Sequence, residues 1–441
     1  MVPIGQLCLV LFKVTYHAVI PLIFKNLTFQ VFLAALLGVG IALLFGDVFA
    51  ADNENSFYQF ILLLKSVFLA ALRMLIAPMI FFSLIGGIIG IGDVIKLKRL
   101  GGITIAYYFG TTIIAIMLGL VAVFFIHPWT QYPPTIEFSS QVAPSKMIEA
   151  GSDSIVLVLQ QVLNLALTNP ISALANLNIL GIVTNAFLIG IAMVLVLPVD
   201  APLFKTVEQI NAVIMQILRW VIKVMPIGIF AILMDFTLRL NMGDGNSAAF
   251  LTQLFQFSLL IVILTLVHGL LVLPGIAWLL AKKSPVELLR KISQPLIVAF
   301  STSSSSATLP VSMRTCSDEF EVDASVTSFV LPLGATMNMD GTALFEAVAA
   351  IFLAYLFGVE LSTVTIFTVF LMAMVASIGA PGMPSASMAG MQMVLLAVGI
   401  PLEAIAILLV IERPLDTIRT AVNVEGDIVG ALVVDHYTRK S

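Results

Sequence analysis

The stretch Ile411–Asp427, IERPLDTIRTAVNVEGD, decides how this chain is read. It sets Asp416, Arg419, Thr420, Asn423 and Asp427 at i, i+3, i+4, i+7 and i+11, the spacing of one helix face. Around it the chain is 60% hydrophobic and 10% charged over 441 residues, the composition of an integral membrane protein with several spans. Three charges on that face would cost roughly 8–10 kcal/mol at a bilayer centre, so they must meet protein, water or ligand. The face is a candidate binding site; the competing reading is a terminal helix whose charges sit among lipid headgroups.

Upstream, apolar segments long enough to span run at about Leu27–Phe49, Phe60–Ile91, Gly101–Ile126, Ile155–Leu197, Val207–Leu238 and Phe250–Ala281. Thr168-Asn169-Pro170 interrupts the fourth and predicts two or three pieces. Residues 1–24 have a short apolar run, Leu7–Phe12, followed by Lys13 with no cleavage site, and read as an N-terminal amphipathic segment in the membrane plane. Lys96, Lys98, Arg99, Lys282, Lys283, Arg290, Lys291, Arg439 and Lys440 share one side, whereas the loop Pro128–Asp153 has only Lys146; both termini are therefore expected in the cytoplasm. Lys65, Arg73, Arg219 and Lys223, inside apolar segments, are expected mostly to snorkel or to cover subunit contacts. A net charge of −4, thinly spread, speaks against a nucleic-acid partner. Two distant cysteines, Cys8 and Cys316, and four scattered histidines show no redox or metal spacing.

Beyond Ala281 the pattern changes. Ser301–Pro310, STSSSSATLP, and Ser377–Ser387, SIGAPGMPSAS, each interrupt apolar stretches too short to cross, which reads as two re-entrant hairpins. Two such interruptions with polar helices beside them are the layout of an inverted-repeat transporter. Between them lies Gly334–Glu346, GATMNMDGTALFE, where Gly334 and Gly341 permit unwinding and Asn338 and Asp340 add side-chain oxygens. With Asn423 and Asp427 these can hold a hard cation without sulfur or imidazole. Sodium fits that chemistry; the residues leave a proton or lithium open.

The motifs SSSSATLP, NMDGT, SIGAPGMP and D-x-x-R-T-x-x-N-x-x-G-D resemble those of the dicarboxylate/amino acid:cation symporter family, which includes the excitatory amino acid transporters. The likeness runs from about Leu27 to Val434. It implies an all-α polytopic membrane protein of eight transmembrane helices plus two re-entrant helical hairpins, built from inverted repeats and working as an elevator-type transporter. It further implies a homotrimer in the cell inner (plasma) membrane. Residues 25–97 would give scaffold helices 1–2, 98–127 transport-domain helix 3, 128–240 scaffold and trimerisation helices 4–5, and 241–441 the rest of the transport domain.

Residue roles follow from that resemblance. Ser304 and Ser305 at the first hairpin tip, with Asn423, would meet the substrate α-carboxylate. Asp416 would hold its amino group, Arg419 and Thr342 its side-chain carboxylate, and Met383 and Thr420 would complete the pocket. Sodium would be held by Gly334, Thr336, Asn338, Asp340, Asn423 and Asp427, with Ser377, Ile378 and Ala380 from the second hairpin. Tyr108, Thr111 and Thr112 would complete a further sodium site near Asp340. The chain departs from the pattern at Ser303 and Thr417, at one or the other of which members with a potassium or proton cycle usually place an arginine, and at Pro381 and Ser387, the latter a glycine in many members. Arg413 could substitute for that arginine, although it points about 60° away from Asp416.

The residues narrow the cargo further. A buried guanidinium pairs bidentately with a carboxylate, so Arg419 favours aspartate or glutamate over neutral side chains. Asp416 needs a cation, which a substrate ammonium supplies and a succinate-type dicarboxylate does not. Glu346, four residues beyond Thr342 on the same face, is a candidate proton carrier, or else an internally satisfied hydrogen-bonding group. A C4-dicarboxylate or neutral amino acid carrier of the same fold is the second reading. A serine hydrolase is the third, but no His or Lys stands at a usable spacing from the serine run.

Overall fold

The computed structural model describes residues 27–50, 55–96, 99–131, 160, 163–198, 200–242, 247–359, 361–379, 387–400 and 404–439. The expected amphipathic segment 1–24, and Ala380 and Met383, lie outside them. All regular structure among the described residues is helical: α1 (Leu27–Ala50), α2 (Ser56–Lys96), α3 (Arg99–Phe125), a 3-10 turn (Pro128–Gln131), α4 (Pro170–Ala175), α5 (Ile179–Val196), α6 (Pro202–Lys223) and α7 (Met225–Met242). There follow α8 (Ser247–Val267), a π turn (His268–Val272), α9 (Leu273–Ala281), α10 (Pro285–Lys291), α11 (Ser293–Thr302), α12 (Ser305–Phe320) and α13 (Ala324–Met337). The chain closes with α14 (Asp340–Leu356), α15 (Thr363–Gly379), α16 (Ser387–Ala397) and α17 (Ile405–Arg439).

Local chemistry sets where these helices start and stop. Asn169 caps α4 by accepting from the Ile171 and Ser172 amides, with Pro170 at the first helical position, so the fourth apolar segment breaks at Thr168-Asn169-Pro170. The fifth, read as continuous, is interrupted at Val224 ahead of Pro226. Ser303 stops α11 in the left-handed region at φ 49, a conformation that costs a non-glycine residue about 1–2 kcal/mol, and Ser304 then caps α12. Four described helical stretches are long and apolar enough to cross a bilayer: Ser56–Ile89, Leu100–Gln131, Ala249–Ala281 and Ala324–Leu356. Several crossings make this a multi-pass membrane protein.

Contacts divide the chain into two units. The first gathers described residues within Met1–Arg73, Ile217–Ser247 and Ala406–Val410. There α1 meets α7 at Gly38, where a Cβ would lie 2.6 Å from the Phe230 carbonyl. Ala42, Ile61, Ala231, Met234 and Leu238 form its core. Lys65, expected to snorkel or cover a subunit contact, instead pairs with buried Asp235 at 2.6 Å, while the Tyr58 hydroxyl donates to the other Asp235 oxygen at 2.6 Å. An inward ion pair satisfies the lysine at lower cost than bare burial.

The second unit holds described residues within Met74–Gln216, Ala248–Ile405 and Ile411–Ser441, including every candidate site residue that the structure describes. Its core joins Tyr107 and Tyr108 of α3, Val330 and Leu331 of α13, and Val422, Ile428 and Leu432 of α17. On its outside, Leu251, Phe255, Leu259, Ile263, Leu266 and Leu270 are exposed at steps of three and four, an apolar stripe suited to lipid.

Candidate functional site

The chain unwinds at Asn338 and Met339, between α13 and α14, where ψ of 80 and 58 belongs neither to helix nor to strand. Gly334 and Gly341 do not themselves unwind; both stay helical, and they serve by leaving room. A Cβ at Gly334 would collide with the Asp427 carboxylate and the Tyr108 hydroxyl, and one at Gly341 would lie 3.0 Å from the Arg419 carbonyl. Two glycines thus let α13, α14 and α17 approach closely around the break.

One oxygen-rich cluster forms on that break. Thr112 donates to Asp340 Oδ1 at 2.7 Å, and Thr111 lies 3.4 Å from the same oxygen and 3.3 Å from Asn338 Oδ1. Asn338 Nδ2 bonds Asp427 Oδ1 at 3.0 Å, while Asn423 Oδ1 accepts from the Gly341 amide at 2.8 Å. Tyr108 lies beside Gly334 with its hydroxyl on the Val330 carbonyl at 2.7 Å. Ser377 and Ile378 of α15 line a small recess with Tyr108, Thr112 and Met337. Most residues named from the sequence for a cation site thus lie in one cluster. Thr336 is exposed, and its hydroxyl bonds the Leu333 carbonyl at 3.0 Å. His268, dismissed as scattered, places Nε2 3.1 Å from Asp340 Oδ2. No sequence signal tied residues 268 and 340, because 72 positions separate them.

A second polar focus lies one helical turn or two away along α17. Arg419 is fully buried, with its guanidinium 4.0 Å above the Phe345 ring. Its Nη2 meets Glu412 Oε1 at 3.1 Å, Asp416 Oδ1 at 3.3 Å and Ser387 Oγ at 3.2 Å. Its Nε and Nη1 have no hydrogen-bond partner among the described residues. Glu412 was missed, although it stands four residues before Asp416 and seven before Arg419 on the face already identified. Asn423 Nδ2 bonds the Thr342 hydroxyl at 3.3 Å, which joins this focus to the cation cluster. Thr420, Thr342, Ser304 and Ser305 are likewise buried; Ser304 Oγ is engaged in capping, accepting from the Ala307 amide at 3.2 Å.

Glu346 is fully buried on the same helix as Asp340 and Thr342, and neither carboxyl oxygen has a hydrogen-bond partner among the described residues. Arg419 is within electrostatic reach of it, and Gly390 of α16 leaves the space it occupies.

An oxygen-lined break and a buried arginine with two nitrogens unpartnered among the described residues, inside a multi-pass helical protein, are what a membrane transporter of small charged solutes needs. Comparison with known sequences agrees. The chain matches the sodium:dicarboxylate symporter family over residues 27–437 and belongs to that family. It is similar to an excitatory amino acid transporter of Caenorhabditis elegans, 31% identical over 83% of this chain and 79% of that one. Excitatory amino acid transporter 2 of Rattus norvegicus is 32% identical over 85% of this chain and 72% of that one. Excitatory amino acid transporter 5 of Mus musculus is 30% identical, covering 88% and 78%.

Proposed function

We propose that the protein is a secondary active symporter that takes up an acidic amino acid, aspartate or glutamate, on a sodium gradient. The observation that carries this reading is Arg419: a buried guanidinium on an aromatic face, with Nε and Nη1 unpartnered among the described residues. A side-chain carboxylate supplies what those donors lack, and a neutral side chain leaves them unpaired. Asp416 beside it would hold the ammonium, with Asn423, Thr342, Thr420, Ser304, Ser305 and Met383 around the substrate. Asp340, Asn338, Asp427, Thr111, Thr112, the Tyr108 region and the carbonyls freed at the break would carry sodium, whose ligands are oxygens. Glu346 would carry a proton.

The family supports the remaining architecture: eight spans, two re-entrant hairpins in inverted repeats, and a homotrimer in the plasma membrane with both termini cytoplasmic. Residues 25–97 and 128–240 would form the scaffold, and 98–127 with 241–441 the moving elevator. A succinate-type dicarboxylate is the second reading, favoured because Asp416 already has a cation in Arg419 at 3.3 Å.

The test is uptake of radiolabelled L-aspartate, L-glutamate and succinate into proteoliposomes, with sodium and pH gradients set independently. Sodium-dependent accumulation of the amino acids is expected, and accumulation of succinate alone would move the reading to dicarboxylates. Glu346→Gln should abolish any response to the pH gradient; a response kept intact would remove Glu346 as the proton carrier.

A further inference from the structure

Arg419 is not held symmetrically. Among the described residues, its three hydrogen-bond partners all meet one nitrogen, Nη2. Glu412 and Asp416 come from α17 itself, whereas Ser387 is the first residue of α16 and belongs to a different helix. The Ser387 hydroxyl closes a triangle: it donates to Glu412 Oε1 at 3.1 Å and accepts from Arg419 Nη2 at 3.2 Å. All three residues are buried, Ser387 at 4% exposed and the other two at 0%. A hydroxyl that donates to the anion and accepts from the cation of one ion pair fixes their relative position better than either partner alone.

We propose that Ser387 is a positioning residue that sets the substrate side-chain length this protein accepts. This inference rests on the acidic amino acid reading above. Pinned through Nη2, the guanidinium presents Nη1 and Nε at one fixed depth. Aspartate and glutamate differ by one methylene, so a carboxylate at only one of the two lengths reaches those donors without strain. Glu412 takes part as the carboxylate that the Ser387 hydroxyl anchors. Without the hydroxyl, the guanidinium keeps its two carboxylates on α17 but loses its tie to α16, and it can follow either substrate.

The experiment compares wild type with Ser387→Ala in proteoliposomes, measuring half-saturating concentration and maximal rate for aspartate and glutamate separately. The wild type is expected to prefer one acid. In Ser387→Ala the ratio of the two half-saturating concentrations is expected to shrink about three- to tenfold toward one, the effect of one lost hydrogen bond, with maximal rates changing far less. Ser387→Cys, nearly isosteric with a weak donor, should act in the same direction, and Ser387→Thr, which keeps the hydroxyl, should restore the preference. A wild-type ratio already near one, an unchanged ratio in both the Ala and Cys variants, or equal losses for both acids would overturn the inference while leaving the symporter reading intact. Wild-type protein that accumulates neither acid would overturn both.

Discussion

Two helical stretches of the second unit have nearly equal length and opposite surroundings. In the most apolar part of Ala324–Leu356, 89% of residues are buried; in that of Ala249–Ala281 the share is 44%. The buried stretch carries Asn338, Asp340, Thr342 and Glu346, all at 4% exposure or less. The other turns Leu251, Phe255, Leu259 and Ile263 outward. Membrane proteins invert the usual sorting, since lipid accepts leucine while interrupted backbone and carboxylates survive only inside protein. The difference separates what solvates the protein from what does its chemistry.

The sharpest way to break that contrast is to empty its polar side. Arg419→Ala removes the cation that buried Glu412 and Asp416 share. Acidic substrate uptake is expected to fall at least about 100-fold, with about 3–5 kcal/mol of stability lost. Uptake near the wild-type rate would remove Arg419 from the pocket. Asp427→Asn keeps the shape but takes a negative charge from the oxygen cluster. Half-maximal uptake should then need about tenfold more sodium, and an unaltered sodium curve would exclude a ligand role.

Outside the membrane the effects shrink. The Ser325 hydroxyl and amide bonds hold the Asp323 carboxyl below the usual carboxylate range. A folded-state value below the unfolded one means the bonds stabilise above the ordinary aspartate range and lose their effect as pH falls through the lowered value. Asp323→Ala should remove that small acid-side slope from thermal unfolding curves, and a slope that persists would place it on other carboxylates. On the lipid side, Leu259→Ala should change stability by less than about 0.5 kcal/mol in detergent. A loss of about 2 kcal/mol or more would mean that the residue packs against protein.

The same contrast explains what was legible in the sequence. Local periodicity exposed the face Asp416–Asp427, and local interruptions exposed the breaks at Thr168-Asn169-Pro170 and Ser301–Pro310, whereas Gly334 and Gly341 marked the unwound stretch only roughly, since the break falls between them at Asn338 and Met339. Such features depend on neighbours within a turn or two. Glu412 was equally readable, one turn before the point where the face was taken to begin. Thr336 and Asn338 stand two positions apart, and the structure exposes the first while burying the second, a difference that their shared motif does not show. Lys65 with Asp235 and His268 with Asp340 were not readable at all, because only the tertiary fold brings together residues separated by 170 and 72 positions.

The π turn at His268–Val272 carries one residue more than a regular helix would use over that length. Gly269 lies within it, and a Cβ there would come 2.8 Å from Val422 and 3.2 Å from the Glu425 carboxylate of α17. A π turn takes up its extra residue as a local bulge, so loss of one residue here would close the bulge into regular helix and leave Trp278 and Leu279 facing outward as they now do. In regular helix each residue turns the face by 100°, so the turn at His268–Val272 is a point of slack in an otherwise register-bound span.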